Sequence, residues 1–247
     1  MKNNFGNNLP IINLYKKRSL KSGVDTQLLY GDNFKVLKKF KGWNKIKNKR
    51  DGYVGYIHND KFVDPINANF KVSVLKARLF SKPYSSKGLK KFLPFGSRVK
   101  IVKKIGKFGK IEKKWIKIKD LKKINFKEKN IFKKVKMFRS IKYLWGGKSY
   151  NGIDCSALVQ ILFNQNNKYC PRDSKDQERY FKKKIKLGNI KQNDMIFWKG
   201  HVAIAISKNK LIHAYGPKKK VVIMGIKNTI KIIKRTANLK VKSIRRY

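Results

Sequence analysis

The stretch YLWGGKSYNGIDCSALVQ, residues 143–160, decides how the C-terminal half of this chain is interpreted. The part from Cys155 onward has apolar residues at helical spacing. Asp154 stands where a helix N-cap residue belongs. The stretch therefore predicts a helix, and if this helix begins near Asp154, Cys155 lies in its first turn.

A cysteine at the start of a helix is a candidate nucleophile. Unpaired backbone N–H groups and the helix dipole stabilise negative charge there, so we expect a lowered pKa for the Cys155 thiol. The same N–H groups would receive the oxyanion that forms when the sulfur attacks a carbonyl. Ser156 places a hydroxyl beside the thiol.

Two of the three histidines lie downstream, in short apolar runs typical of strands: His201 in GHVAIAI and His213 in LIHAY. The segment SKNK between them predicts a hairpin. A turn centred at Ser207 or at Asn209 would point both rings to one face. We predict that His201 is the general base for Cys155 and that His213 orients His201.

Other roles suit the same residues. A cysteine in an apolar run is commonly a packed thiol, and a strand histidine is commonly a satisfied core residue. A zinc site of one cysteine and two histidines would lack a fourth ligand and the close ligand pairs typical of zinc. We expect no metal and no other cofactor. We also expect Cys170, which no base motif accompanies, to be a buried thiol.

The charge of the 247-residue chain is extreme, because 64 Lys and Arg face 13 Asp and Glu, a net charge of +51. Lysines are spread along nearly the whole chain and alternate with apolar residues, as on the solvent face of short strands. Arginine, the better bidentate phosphate ligand, is a minority. We therefore favour a general lysine bias over specific nucleic-acid binding. Attraction to an anionic polymer remains an alternative.

The chain upstream of residue 128 has a different pattern. Runs such as DGYVGYI and KWIKIKDLKKI predict short strands between turns, and they recur in two segments of similar size. We predict small β-barrels at 10–66 and 69–125. From residue 128 onward, helical runs precede four strand candidates, which predicts an α+β domain at 128–247.

No run approaches 18 apolar residues, so no membrane insertion is expected. The N-terminal MKNNFGNNLP lacks the apolar region of a signal peptide. Two cysteines make no disulfide framework. These features predict a cytoplasmic protein, with secretion or a periplasmic location as the alternative.

The motifs resemble, in order, the signature of the NlpC-type papain-like cysteine peptidases of cell walls. The resemblance is carried by YLWGGKSYNGIDCSALVQ (143–160), PRDSKDQ (171–177), NDMIFW (193–198), GHVAI (200–204) and LIHA (211–214). The PRDSKDQ block and the upstream segments are most similar to the subgroup that cleaves γ-D-glutamyl-L-diamino acid bonds in murein peptides. The resemblance implies a papain-like domain preceded by two SH3-like barrels, with Cys155, His201 and His213 as the triad.

The resemblance also implies a substrate pocket. It places the Tyr143 hydroxyl near the oxyanion. It assigns Asp154, Ser156, Asp173 and Ser174 to the pocket lining, where carboxylates would hold the free α-amino group of a terminal L-Ala and hydroxyls would bind the D-Glu portion.

A first-barrel acid and tyrosine close the pocket in relatives. Asp32 and Tyr53 are the candidates for these roles, with Tyr56 as a rival to Tyr53. Ordinary roles as a turn acid and a barrel aromatic remain the alternatives for Asp32 and Tyr53.

The implied function is hydrolysis of the γ-D-glutamyl-L-diamino acid bond in trimmed murein stem peptides, as in wall-peptide recycling. One alternative is a secreted hydrolase of intact peptidoglycan, whose lysines are attracted to anionic wall polymers. A second is a non-catalytic module that binds polyanions.

Overall fold

The computed structural model describes residues 3–58 and 62–247. Residues 59–61, inside the first predicted barrel segment, lie outside the described residues. The chain divides into two compact units. One unit comprises Met1–Lys127 with Lys148–Tyr150, and the other comprises Glu128–Gly147 with Asn151–Tyr247. Both predicted barrel segments belong to the first unit.

The first part of this unit is one antiparallel sheet in the order β1-β4-β5-β6-β2-β3. Its strands are β1 (Asn4–Gly6), β2 (Ile11–Tyr15), β3 (Val24–Leu29), β4 (Asn33–Phe40), β5 (Trp43–Asn48) and β6 (Val54–Ile57). In β4, Phe34 and Val36 are buried while Lys35 and Lys38 are exposed. This alternation puts lysine on the solvent face, as the sequence pattern predicts.

The second part of the unit forms two further antiparallel sheets, in the orders β10-β7-β14 and β11-β12-β13-β8-β9. The strands of this part are β7 (Phe70–Val72), β8 (Lys76–Phe80), β9 (Phe92–Pro94), β10 (Arg98–Val99), β11 (Lys103–Ile105), β12 (Phe108–Ile111), β13 (Lys114–Lys117) and β14 (Leu121–Lys123). β15 (Lys148–Ser149) also belongs to this unit. The core includes Val72, Ala77, Val99 and Ile116.

The second unit combines helices with a six-stranded antiparallel sheet in the order β17-β22-β18-β19-β20-β21. The helices are α1 (Cys155–Gln165), α2 (Ser174–Tyr180) and α3 (Ile226–Ala237). The strands are β16 (Gly152–Ile153), β17 (Lys183–Lys184), β18 (Met195–Trp198), β19 (His201–Ala205), β20 (Lys210–Tyr215), β21 (Lys220–Gly225) and β22 (Ser243–Arg246). The four predicted strands are β18 to β21, so this part of the prediction is confirmed.

One of the helical runs predicted after residue 128 is NIFKKVKMFRSI (130–141), and this prediction is wrong, because the segment contains only a short 3-10 helix, Val135–Phe138. Its buried residues Phe132, Val135 and Phe138 are three apart, which is the period of a 3-10 helix. In the described part of the chain, no helix is both long and apolar enough to cross a membrane.

Helix α1 is the central element of the second unit. All eleven of its residues are buried, and it packs against β19 and β20. The helix has no solvent-exposed residue, and its polar side chains Ser156, Gln160 and Asn164 are buried together with its apolar ones. The packing holds the start of α1 against the sheet that carries both histidines.

Candidate active site

The start of α1 has the predicted N-cap. Asp154 has an extended backbone, and its Oδ1 accepts a hydrogen bond from the Ala157 N–H at 2.8 Å. Its Oδ2 accepts from the Gly146 N–H at 2.9 Å. Cys155 is the first helical residue and is buried. The predicted helix start at this cysteine is therefore confirmed.

The two histidines lie on the predicted hairpin of β19 and β20. Ile204 pairs with Ile212, which centres the turn on Lys208, between the two predicted positions. This register still points both rings to one face. The Nε2 atom of His201 and the Nδ1 atom of His213 lie 2.8 Å apart.

The thiol lies against the strand that carries His201. Backbone N–H groups of Val202 and Ser156 both donate toward the Cys155 sulfur. Val202 directly follows His201, so the sulfur sits beside the first residues of β19. Since the Nε2 atom of His201 is bonded to His213, its Nδ1 atom is the nitrogen left to receive the thiol proton.

The prediction of a lowered thiol pKa is wrong. Burial raises the pKa of Cys155 to about 12, and the negative charge of Asp154 adds to the increase. The Val202 N–H, the Arg172 charge and the Ser156 N–H oppose it. The loss of hydration around the sulfur outweighs the stabilisation at the helix start.

Both imidazoles are held neutral. Although part of His201 remains exposed, burial among protein groups lowers its pKa to about 4. Burial lowers the pKa of His213 to about 3, and the neighbouring His201 contributes. At neutral pH the site therefore holds a protonated thiol next to two neutral rings. A thiolate can form there as the proton moves to His201 during attack.

Sequence reasoning missed Arg172, which lies inside PRDSKDQ. Its guanidinium donates from Nη1 to Asp154 Oδ1 at 3.0 Å and to Ser156 Oγ at 2.9 Å, and Nη2 pairs with Asp154 Oδ2. Both oxygens of Asp154 are thus engaged by internal donors. The predicted contact of Asp154 with a substrate amino group remains a prediction.

The PRDSKDQ segment combines a buried glutamine, Gln177, with an exposed acid, Asp173. Gln177 is buried, and its Nε2 donates to the Ser156 carbonyl at 2.8 Å and to the Pro171 carbonyl at 2.9 Å. Asp173, the N-cap residue of α2, is exposed, and Ser174 is half-buried. Of the two predicted carboxylates, Asp173 is the more accessible to a ligand.

The phenol of Tyr143 lies near enough to Cys155 for the charge of a thiolate there to affect the Tyr143 pKa. Burial raises its pKa to about 12, and the charges of Cys155 and Asp154 add to the increase. The phenol therefore stays protonated at neutral pH. A protonated hydroxyl can donate to an oxyanion, as the resemblance implies.

Asp32 and Tyr53 lie in the first unit. Asp32 is 2% exposed, its Oδ2 accepts from the Leu29 N–H at 2.8 Å, and its Oδ1 lies 2.8 Å from Arg50 Nη2. Tyr53 is half-buried and packs against the apolar cluster of the first sheet, which includes Leu14 and Phe34. These contacts support the ordinary roles of turn acid and barrel aromatic, and the predicted pocket roles remain predictions.

Neither cysteine forms a disulfide. Cys170 is fully buried, and its Sγ donates weakly to the Pro171 carbonyl at 3.6 Å, so the expected buried thiol is confirmed. Across residues 3–58 and 62–247, no group of three or more His, Cys, Asp or Glu is arranged to hold a metal ion.

Two family models match the chain. Residues 140–238 match the NlpC/P60 family, and residues 14–62 match the bacterial dipeptidyl-peptidase Sh3 domain. A crystal structure of an NlpC/P60 family protein from Bacillus cereus superposes with a TM-score of 0.83 over 99% of both chains. That protein is 19% identical to this chain, so the superposition shows the fold.

Two named relatives are also similar. Dipeptidyl-peptidase 6 of Lysinibacillus sphaericus is 36% identical over 72 residues, which are 29% of this chain and 27% of the relative. Gamma-D-glutamyl-L-lysine dipeptidyl-peptidase of Bacillus subtilis is 25% identical over 232 residues, 84% of this chain and 77% of the relative.

Proposed function

We propose that this chain, whose residues 140–238 match the NlpC/P60 family, hydrolyses the γ-D-glutamyl-L-diamino acid bond of murein stem peptides. The observation that carries the proposal is the placement of Cys155 at the buried start of α1, beside a strand whose His201 is bonded to His213 at 2.8 Å. The name of the Bacillus subtilis relative, gamma-D-glutamyl-L-lysine dipeptidyl-peptidase, supports the choice of bond.

The proposed reaction begins with a neutral thiol. The Cys155 sulfur attacks the γ-carbonyl carbon of D-Glu while its proton passes to Nδ1 of His201. Negative charge develops on the carbonyl oxygen, where the N–H groups at the start of α1 and the Tyr143 hydroxyl can donate. His201 then gives its proton to the leaving amine, and a thioester remains.

Water completes the cycle. His201 takes a proton from the water, the hydroxide oxygen bonds to the thioester carbon, and the carbon–sulfur bond breaks. The sulfur recovers its proton from His201, and L-Ala-γ-D-Glu leaves with a γ-carboxylic acid that then ionises in solvent. His213 keeps the base oriented through both halves of the reaction.

We propose that the substrate carries a free L-Ala amino group. The accessible carboxylate of Asp173 supports this, since it lies in the same segment as Arg172, which contacts the residues on both sides of Cys155. Ser174 would bind the D-Glu portion. Asp32 and Tyr53 are retained as first-unit candidates, and the two upstream segments are proposed to close as SH3-like barrels.

The test compares L-Ala-γ-D-Glu-L-Lys with its N-acetylated form. We expect at least a hundredfold lower kcat/KM for the acetylated peptide, because acetylation removes the positive charge that a carboxylate would bind. Equal values for both peptides would contradict the amine-reading pocket. Replacement of L-Lys by meso-diaminopimelate in the same assay identifies the preferred diamino acid.

The free-amine requirement also supports a role in recycling trimmed wall peptides in the cytoplasm. A secreted hydrolase would instead cleave intact peptidoglycan, so turbidity loss of purified sacculi distinguishes the two. Rapid solubilisation of sacculi by the wild-type protein would overturn the recycling role.

Anionic-polymer binding is a second candidate function because one cleft is lined by cations. The cleft, of about 780 Å³, lies in the second unit and includes the exposed Lys184, Lys186, Lys191 and Lys208. Such binding is salt-dependent. Retention on an anionic wall polymer that survives Cys155→Ala and falls on charge reversal of Lys186 and Lys191 would support it. Unchanged retention after the reversal would exclude this cleft.

A further inference from the structure

The ring nitrogens of His213 have a second contact besides the one with His201. Its Nε2 atom lies 3.4 Å from the Sδ atom of Met224. Met224 is on β21, where Leu211 pairs with Met224 and His213 pairs with Val222. Because side chains alternate along a strand, Met224 and His213 project from the same face. His213 is fully buried.

The two contacts of the His213 ring nitrogens require different protonation of those nitrogens. A neutral imidazole has one N–H donor and one nitrogen acceptor. A thioether sulfur has lone pairs and no hydrogen, so it can only accept. The contact with Met224 is therefore a hydrogen bond only when His213 carries its hydrogen on Nε2. In that tautomer, Nδ1 is the acceptor.

We propose that Met224 is a positioning residue that sets the tautomers of both histidines. With Nδ1 of His213 as the acceptor, the 2.8 Å bond requires His201 to donate from Nε2. The Nδ1 atom of His201 then carries a lone pair and can take the Cys155 proton. The opposite tautomers put a hydrogen on this nitrogen and block the transfer.

The argument needs both rings to be neutral. The pKa of His201 is lowered to about 4 and that of His213 to about 3, in each case mainly by burial. Between two neutral rings, each bond direction is a choice between tautomers of similar energy. One additional acceptor of modest strength can therefore decide it.

The catalytic consequence rests on the proposed peptidase function, but the tautomers can be measured without it. The chain has three histidines, so ¹⁵N NMR of imidazole nitrogens resolves them with few signals. In the wild-type protein at pH 7 we expect Nε2–H for both His201 and His213. A His213 ring with its hydrogen on Nδ1 would overturn the proposal.

The variant Met224→Leu removes the acceptor and keeps an apolar side chain of similar size. We expect the Nδ1–H tautomer of His213 to appear and kcat on the tripeptide to fall roughly fivefold, the effect of one modest hydrogen bond, with KM unchanged. Tautomers and kcat identical to those of the wild type would contradict the proposal.

Met195→Leu is the matched control. Met195 is fully buried in β18 and pairs with Ile204, whereas His201 pairs with Trp198, so Met195 lies on the opposite face of the sheet. We expect Met195→Leu to keep the wild-type tautomers even if it lowers stability. An equal tautomer shift in both variants would show that the loss of packing, and not the loss of the Met224 acceptor, causes the shift, and it would contradict the proposal. If no peptide is cleaved while the tautomers respond as stated, the proposed function fails and the role of Met224 stands.

Discussion

Cys155 shows how burial and helix position compete over one side chain. The start of α1 offers N–H donors to a thiolate, yet burial and Asp154 raise the thiol pKa to about 12. His201 remains neutral down to about pH 4 for the same reason. Before the reaction, the Cys155 thiol and the His201 imidazole are therefore both neutral, and the proton moves between them as the sulfur attacks.

This predicts an unusual pH profile. Since His201 must be unprotonated to act as a base, and burial lowers its pKa to about 4, the acid limb of kcat/KM should lie near pH 4. The ordinary value of 6.5 would place the limb more than two units higher. Initial rates from pH 3.5 to 9 check this. A limb centred at 6.5 would contradict the neutral pair.

At the scale of elements, the sequence predicts features that depend on short-range patterns, and it misses features that depend on contacts between residues far apart in the chain. The N-cap at Asp154 and the hairpin strands around His201 and His213 depend on short-range patterns, so they were predictable. Arg172 and Met224 act through partners 18 and 11 residues away. No local periodicity marks such contacts, although the position of Arg172 inside PRDSKDQ was a usable signal.

At Val135–Phe138 the error is of another kind, because the sequence predicted an α-helix and the structure has a short 3-10 helix. A spacing of three residues satisfies a helical pattern only loosely, and over a short segment it is also the spacing of a 3-10 turn.

The prediction of a lowered thiol pKa at Cys155 failed because the sulfur is buried. A thiol pKa depends on how much protein surrounds the sulfur, and this follows from tertiary packing.

Arg172 joins the PRDSKDQ segment to the start of α1, so we predict that Arg172→Ala destabilises the second unit. The change leaves the buried Asp154 carboxylate without its ion-pair partner, which costs roughly 3–5 kcal/mol. Urea unfolding measures this. The matched control is Arg179→Ala in α2, where the exposed pair with Asp176 spans 3.8 Å and contributes under about 1 kcal/mol. Equal losses in both variants would contradict this role of Arg172.

At the scale of the whole molecule, the buried histidines link stability to pH. Both have an ordinary pKa of 6.5 and lower values in the folded protein. Between pH 6.5 and about 4 the unfolded chain binds protons that the folded chain does not, so the free energy of unfolding falls as pH falls. Above pH 6.5 these two groups contribute no slope.

We therefore expect the urea midpoint to drop between pH 7 and pH 4.5, and the drop to be smaller in His213→Asn. His58→Gln, a histidine substitution at an exposed position in the first unit, serves as the control. An unchanged slope in His213→Asn would contradict the assignment of the pH dependence to the buried pair.

The central claim is that Cys155 is the nucleophile of a γ-D-glutamyl peptidase, and matched cysteine variants test it most directly. Cys155 and Cys170 are both buried cysteines of the second unit that form no disulfide. Release of L-Ala-γ-D-Glu from L-Ala-γ-D-Glu-L-Lys is measured by mass spectrometry. We predict that Cys170→Ala retains the activity and that Cys155→Ala loses at least a thousandfold. Release at the wild-type rate by Cys155→Ala would contradict the account.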